Sequence, residues 1–357
     1  SFALEAPPNT QLSNAHLSIW NQAFNSKEQE ILTLLESANI NTSNIAYINS
    51  LVLSHSPYLL RHSVNPINWY EWQDKVLDTA QIENKLIFLS IGYSTCHWCH
   101  VMEKDSFVDL DVAGVLNQSY LSIKVDRELN TELDQHFSSV LAALKGTAGW
   151  PVTAILTPNG QPIWMDVFVD KGRLIKTLKR LQAIWRTQPR SLQQIAKNIS
   201  LSTQSTSISM SDIEWSETIL RNQLTQWRSY LDSENGGLKG SPKFLESPLL
   251  TLLLLEYQHN QSPELKTILI TWLDNLYQSP IRDQVLGGFH RYASDTNWQS
   301  PHFEKMLYNQ AQLISVYVLA ARTLDNPEYF SVARDTLLFT EKYLGALDGD
   351  FYAAIDA

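Results

Sequence analysis

The sequence has few cysteines, fewer basic than acidic residues and no long apolar run, and each of these features argues against a class of protein. Only two of its 357 residues are cysteines, which disfavours a closed structural zinc site, because such sites need about four nitrogen or sulfur ligands. No uninterrupted apolar stretch reaches membrane-spanning length. Acidic residues outnumber lysine plus arginine by 37 to 27, and no dense basic patch is present, which argues against a nucleic-acid partner.

Both cysteines lie in one short run, Cys96-His-Trp-Cys-His100. The apolar residues 85–93 before it predict a buried strand, and residues 101–118 after it predict a helix. A Cys-x-x-Cys motif at such a junction favours thiol–disulfide chemistry, because a helix N-terminus stabilises a thiolate. Cys96 is then the attacking thiolate and Cys99 the resolving thiol.

Other chemistries fit the same residues. Cys-x-x-Cys-His is also the attachment signature of a c-type haem, although a packed strand and helix around the motif argue against a haem pocket. His100 would add a third ligand to a zinc ion, and two buried, inert thiols are the structural alternative. We expect neither a cofactor nor a metal.

A second signal lies at Trp150-Pro151, just before the apolar strand predicted over residues 152–156. Thioredoxin-like folds place a cis proline beside the disulfide at this point, whereas an ordinary trans proline at a strand start is the alternative. The order of predicted elements also fits a thioredoxin-like α/β domain: strand 86–91, the cysteine helix, strand 120–125, helix 131–144, strand 152–156, strand 162–169 and helix 172–186.

Longer segments add a family resemblance: Ser56–Leu60, Asn65–Tyr70, Phe88–Glu103, Lys124–Arg127, Gly149–Pro151, Gly236–Gly237, Ser241–Phe244, Gly287–Tyr292 and Pro301–Tyr308. They resemble the thioredoxin-domain family related to the mammalian spermatogenesis-associated protein twenty. The resemblance implies that Cys96 and Cys99 are a redox pair and that Pro151 is the cis proline. It also marks a departure, because ordinary thioredoxins have a proton-accepting Asp where this sequence has Ser90.

The pattern divides the chain into a helical extension over residues 1–50, a thioredoxin-like domain over 51–199, a Ser/Thr-rich linker over 200–211 and a helical domain over 212–357. A pair of helices, residues 14–24 and 27–37, is predicted in the extension. Further helices are predicted near residues 213–231, 245–258, 263–277, 304–323 and 327–344. The resemblance implies an all-α (α/α)-barrel-like domain, similar to the six-hairpin barrels of glycosidases and sugar epimerases. Such a barrel has more helices than are predicted here, so we expect an incomplete one.

A second candidate site lies in the predicted loop and helix start over residues 287–308. Its arginine can bind a carboxylate or phosphate, its histidines and carboxylate can serve as acid and base, and its aromatic rings offer faces to a sugar. The candidate residues are His290, Arg291, Tyr292, Trp298, His302 and Glu304. Because polar groups in a long buried loop often only satisfy the backbone, a structural role stays open.

Three functions therefore compete. The first is a thiol–disulfide oxidoreductase whose partners are protein thiols and disulfides. The second is a protein that binds or modifies a carbohydrate ligand and carries a non-catalytic thioredoxin-like module, and the third is an interaction scaffold. The chain starts at Ser1 without a Met, as it would after removal of a secretory signal, so an exported location is expected, with a cytoplasmic one as the alternative.

Overall fold

The computed structural model of the chain describes residues 3–204, 219, 222 and 226–357. These residues form parts of two compact units, Ser1–Met210 and Ser211–Ala357. None of the helices among the described residues is both long and apolar enough to cross a membrane.

The first unit is built on a mixed sheet. Its strands are β1 Trp69–Tyr70, β2 Leu86–Gly92, β3 Tyr120–Asp126, β4 Val152–Leu156 and β5 Pro162–Asp166. Their order across the sheet is β1-β3-β2-β4-β5, and the central strand β2 pairs in parallel with β3 and antiparallel with β4. Every residue of β2 and β3 is buried, as expected for strands covered on both faces.

Helices cover both faces of this sheet and create two apolar cores. Leu86 and Phe88 belong to one core, and Ile87, Leu89 and Ile91 belong to the other, because side chains alternate along a strand. The described helices are α1 Asn14–Ser37, α2 Pro57–Arg61, α3 Asp74–Ile82, α4 His97–Met102, α5 Leu110–Ser119, α6 Thr131–Lys145, α7 Lys171–Thr187 and α8 Pro189–Gln204.

The helix predicted over residues 101–118 is interrupted in the structure. Helix α4 starts earlier, because Cys96 is its N-cap, and a π-helical turn, Glu103–Phe107, follows it. The carboxylate of Asp109 then accepts the backbone N–H groups of Asp111 and Val112 and so starts α5 as a separate helix.

Two other helices differ from the prediction. The N-terminal pair is one continuous helix, α1, whose buried face carries Trp20, Phe24, Ile31 and Leu35 at helical spacing. Helix α8 was not predicted; Pro189 is accommodated in its first turn, where the missing N–H costs nothing. Residues 200–204 of the predicted linker end α8, and the rest of that linker lies outside the described residues.

The second unit is mainly helical. Its described helices are α9 Ser247–Asn260, α10 Pro263–Gln278, α11 Leu307–Thr323 and α12 Glu328–Phe339. In the core, α11 packs against both α9 and α12. The helix predicted near residues 213–231 lies largely outside the described residues.

Short strands of two residues lie before, between and after these helices. Strands β6 Lys243–Phe244, β7 Tyr292–Ala293 and β8 Pro301–His302 form one sheet, and β9 Lys305–Met306 pairs with β10 Ala354–Ile355.

Candidate functional site

Cys96 and Cys99 are joined by a disulfide bond, with their Cα atoms 5.2 Å apart. Cys96 Sγ also accepts the backbone N–H of Cys99 at 3.2 Å, in the N-cap position of α4. Both cysteines are buried, but the two residues between them are exposed, and Trp98 shows 48% of its surface. The pair therefore lies just beneath the surface, next to an exposed indole.

The start of β4 lies beside the end of β2, because Val152 pairs with Ile91. The Trp150–Pro151 peptide bond at this point is cis. The indole N–H of Trp150 donates to Asp134 Oδ1 at 2.7 Å, and the Arg127 guanidinium lies 4.0 Å from an indole ring centroid. These contacts hold the residue before the proline in place.

On the inner side of the disulfide, the sulfur of Cys99 approaches Tyr58 and Gly92. Tyr58 Oη and Cys99 Sγ both lie within 2.7 Å of the point that a Cβ on Gly92 would occupy. Tyr58 is 1% exposed, and its hydroxyl has no hydrogen-bond partner among the described residues. Only glycine fits between these two atoms.

Ser90, at the position of the missing acidic proton acceptor, contacts a buried lysine. Ser90 and Lys124 are register partners on β2 and β3, and Lys124 Nζ donates to Ser90 Oγ at 2.9 Å. The ammonium also lies 4.4 Å from the ring centroid of Phe107. Burial lowers the pKa of Lys124 to about 7, although Glu103 opposes the shift; Arg61 adds to it.

A buried ion-pair cluster adjoins this lysine. Arg61 Nε lies 3.0 Å from Glu103 Oε2, in an ion pair that is not aligned as a hydrogen bond. His62 Nδ1 lies 3.2 Å from the other oxygen of Glu103 and 2.9 Å from the side-chain oxygen of Asn65. Burial lowers the pKa of His62 well below its usual value, so the ring is neutral and Arg61 is the main counter-charge of Glu103.

Sequence reasoning did not identify Tyr58, Glu103 or Lys124 as members of the site. Lys124 lies in an otherwise apolar stretch that becomes a fully buried strand, and Glu103 lies between the apolar Met102 and Phe107. The sequence signal that could have identified Lys124 and Glu103 is a charged residue within an otherwise apolar segment.

The second candidate cluster is divided between core contacts and a surface. Arg291 Nη1 donates to Glu304 Oε2 at 2.9 Å, and both side chains are buried, so each satisfies the other. Trp298 is fully buried, and its indole N–H donates to the backbone oxygen of Asn235 at 2.8 Å. His290 Nδ1 contacts the Phe303 carbonyl at 3.1 Å, and burial lowers its pKa. These four residues belong to the framework of the second unit.

Tyr292 and His302 are placed differently. They face each other across β7 and β8, with ring centroids 4.9 Å apart, and Phe244 on β6 lies 5.1 Å from Tyr292 on its other side. Phe244 is 43% exposed and the other two rings are half-buried. Together, Phe244, Tyr292 and His302 form a partly exposed aromatic ladder.

The structure also reveals a repeat that the sequence analysis missed. Lys243 Nζ donates to Asp232 Oδ2 and to the Gly236 carbonyl, both at 2.6 Å. Lys305 Nζ donates to Asp283 Oδ2 at 2.6 Å and to the carbonyl of the first glycine in the Gly287-Gly288 pair at 2.9 Å. The signal was the spacing Asp-x-x-x-Gly-Gly, present twice.

Comparison with known proteins agrees with this architecture. Residues 48–204 match the family model Thioredox_DsbH, described as "Protein of unknown function, DUF255". The chain is 36% identical over 325 residues to an uncharacterized protein of Caenorhabditis elegans and 35% identical over 324 residues to human spermatogenesis-associated protein 20. The family resemblance predicted from the motifs is confirmed.

Each of these alignments covers 87% of this chain but only 44% of the nematode protein and 41% of the human one. The chain thus spans about two fifths of the length of these relatives. Among solved structures, a sugar epimerase from a ruminal bacterium is similar, with 20% identity, 37% of each chain covered and a TM-score of 0.35. The predicted fold class is confirmed in its main terms, because a thioredoxin-like α/β domain, which the family model matches, is followed by a mainly helical unit.

Proposed function

We propose that the chain is a thiol–disulfide oxidoreductase whose redox pair is Cys96 and Cys99. The observation that carries this proposal is the disulfide between them, at the start of the helix that follows the central strand β2. The N–H that Cys99 donates to Cys96 Sγ would favour a thiolate there once the bond opens.

In the proposed reaction, the Cys96 thiolate attacks a substrate disulfide and one substrate thiolate leaves. Cys99 then attacks Cys96 in the mixed disulfide, which re-forms the internal disulfide and releases the second substrate thiolate. Pro151 would present the substrate backbone beside the cysteines. The exposed Trp98, whose ring centroid lies 5.1 Å from that of Phe168, would contact side chains of the substrate. The partners are therefore protein thiols and disulfides.

A trapping experiment tests this function. The reduced Cys99→Ser variant, incubated with insulin or oxidised glutathione, is expected to accumulate a mixed disulfide through Cys96, visible by mass spectrometry without reductant. The Cys96→Ser variant is the matched control and should trap far less. If Cys99→Ser forms no mixed disulfide with any disulfide offered, the proposal is wrong.

The aromatic ladder supports carbohydrate binding as a second candidate function. Aromatic faces stack on sugar rings, and in the second unit Phe244 is exposed beside the half-buried rings of Tyr292 and His302. Calorimetry with mono- and disaccharides is expected to show binding that His302→Ala abolishes and Cys96→Ser leaves unchanged. Absence of heat with every sugar would reject this candidate without affecting the redox proposal.

A further inference from the structure

The hydroxyl of Tyr58 is buried beside the disulfide and unpaired. Its oxygen and Cys99 Sγ converge on the space left by the missing side chain of Gly92. Leaving a buried hydroxyl unpaired is unfavourable, and no group among the described residues receives its hydrogen bond. The disulfide form therefore offers no partner for this hydroxyl, and we consider the form in which the disulfide is open.

Opening the disulfide changes what the sulfur can accept. A disulfide sulfur is a weak acceptor, whereas a thiolate is charged and forms stronger hydrogen bonds. Among the neighbouring charged groups, Lys124 Nζ donates to Ser90, and Asp126 Oδ2 accepts the Ser56 hydroxyl at 2.6 Å. The Tyr58 hydroxyl is an unpaired donor whose oxygen shares the space beside Gly92 with Cys99 Sγ.

We propose that Tyr58 is the buried donor that stabilises the Cys99 thiolate whenever the disulfide is open. This inference rests on the redox function proposed above. When an external thiolate attacks Cys96 Sγ, the S–S bond breaks and Cys99 leaves as a thiolate with the bonding electron pair. Tyr58 keeps its proton and donates a hydrogen bond to that sulfur. In the reverse step, the same thiolate attacks Cys96 and expels the substrate thiolate.

The groups around Tyr58 keep its hydroxyl protonated. Burial raises the pKa of Tyr58 above its usual value; Arg61 opposes the shift, and Glu103 and Asp126 add to it. The titratable and charged side chains near it are Arg61 and His62 on the same segment, Glu103 after α4, and Lys124 and Asp126 on β3. With its proton retained at neutral pH, Tyr58 can act as a donor but not as a base.

The test measures the ionisation of Cys99 alone. In the Cys96→Ser variant of this chain, Cys99 is the one remaining cysteine. Its pKa is read from the ultraviolet absorbance of the thiolate, after subtraction of the spectrum of the Cys96→Ser/Cys99→Ala variant. Adding Tyr58→Phe is expected to raise the Cys99 pKa by about one unit, a tenfold loss of thiolate. Under alkaline conditions, where the thiolates form, Tyr58→Phe should also shift the glutathione equilibrium of the intact pair about tenfold towards the disulfide, or about 30 mV.

Tyr120→Phe is the matched control. Tyr120 is another buried tyrosine of the same unit, at the opposite end of β3, and its hydroxyl donates to the Leu178 carbonyl. This variant should lose stability and leave the Cys99 pKa unchanged. An unchanged Cys99 pKa in Tyr58→Phe would overturn the inference, whereas failure of the redox function would appear separately, as the absence of a mixed disulfide at Cys96 in Cys99→Ser.

Discussion

Lys305 Nζ lies 2.6 Å from Oδ2 of Asp283, and both side chains are largely buried. The ammonium also donates to a glycine carbonyl and lies 4.4 Å from the ring centroid of Phe339. Its donors are engaged within the fold, so this lysine ties a loop to the helical core. The pair Lys243 and Asp232 repeats the arrangement.

Lys305→Met is therefore expected to lower the free energy of unfolding by about 3 kcal/mol, because it leaves the Asp283 carboxylate without its buried partner. Urea unfolding followed by tryptophan fluorescence measures the loss. The exposed Lys266→Met is the control and should stay within about 0.5 kcal/mol of wild type. Equal stability of the two variants would contradict a structural role for Lys305.

A double-mutant cycle tests the buried pair of Arg291 and Glu304. Each single change to Met should cost about 3 kcal/mol, because it strands a buried charge, and the double variant should cost clearly less than the sum. The more exposed pair Arg282 and Asp335 is the comparison, with an expected coupling below about 1 kcal/mol. Additive losses at Arg291 and Glu304 would show that the two side chains do not depend on each other.

Lys124 should make stability depend on pH. Its folded pKa is about 7, below the unfolded value of roughly 10.4, so between these values the unfolded chain binds a proton that the folded protein does not. The free energy of unfolding therefore rises with pH across this window. Below pH 7 it is reduced by the full cost of burying the charged Lys124 side chain.

Lys124→Met removes that penalty. At pH 6 the free energy of unfolding of the variant is expected to exceed that of wild type by on the order of a few kcal/mol, and this difference should shrink as the pH approaches 10. Urea denaturation at several pH values measures this, with the exposed Lys179→Met expected to follow the wild-type profile. A gain that is constant across the pH range would contradict a titrating lysine.

Gly92→Ala tests the close approach of Tyr58 and Cys99. The added methyl group would overlap both side chains, and we expect a loss of about 1–3 kcal/mol in thermal or urea unfolding. Gly114→Ala is the matched control, because Gly114 lies inside α5 and a Cβ there would meet only Asn9 Nδ2, at 3.7 Å. This variant should have an unchanged free energy of unfolding or gain up to about 1 kcal/mol. A tolerated Gly92→Ala would mean that the two groups can separate freely.

Local patterns predicted much of the framework. Apolar periodicity identified β2 to β5 and helices α6, α7 and α9 to α12, because these signals repeat within one segment. The interruption between α4 and α5 was missed, since it depends on the Asp109 cap and on burial of Glu103. Helix α8 was missed because a proline ends one helix and starts another equally well.

For the candidate sites, the sequence could group only residues that lie close together in the chain. The sequence by itself determined that two cysteines follow a buried strand at disulfide spacing and that aromatic, histidine and charged residues share one loop. Only the tertiary structure decided that Tyr58 and Gly92 meet Cys99 and that Lys124 donates to Ser90. It also decided that Arg291 and Trp298 are held by the core while Tyr292 is only half-buried. The physical reason is that burial and strand register bring together residues far apart in the chain, and no local pattern carries that information.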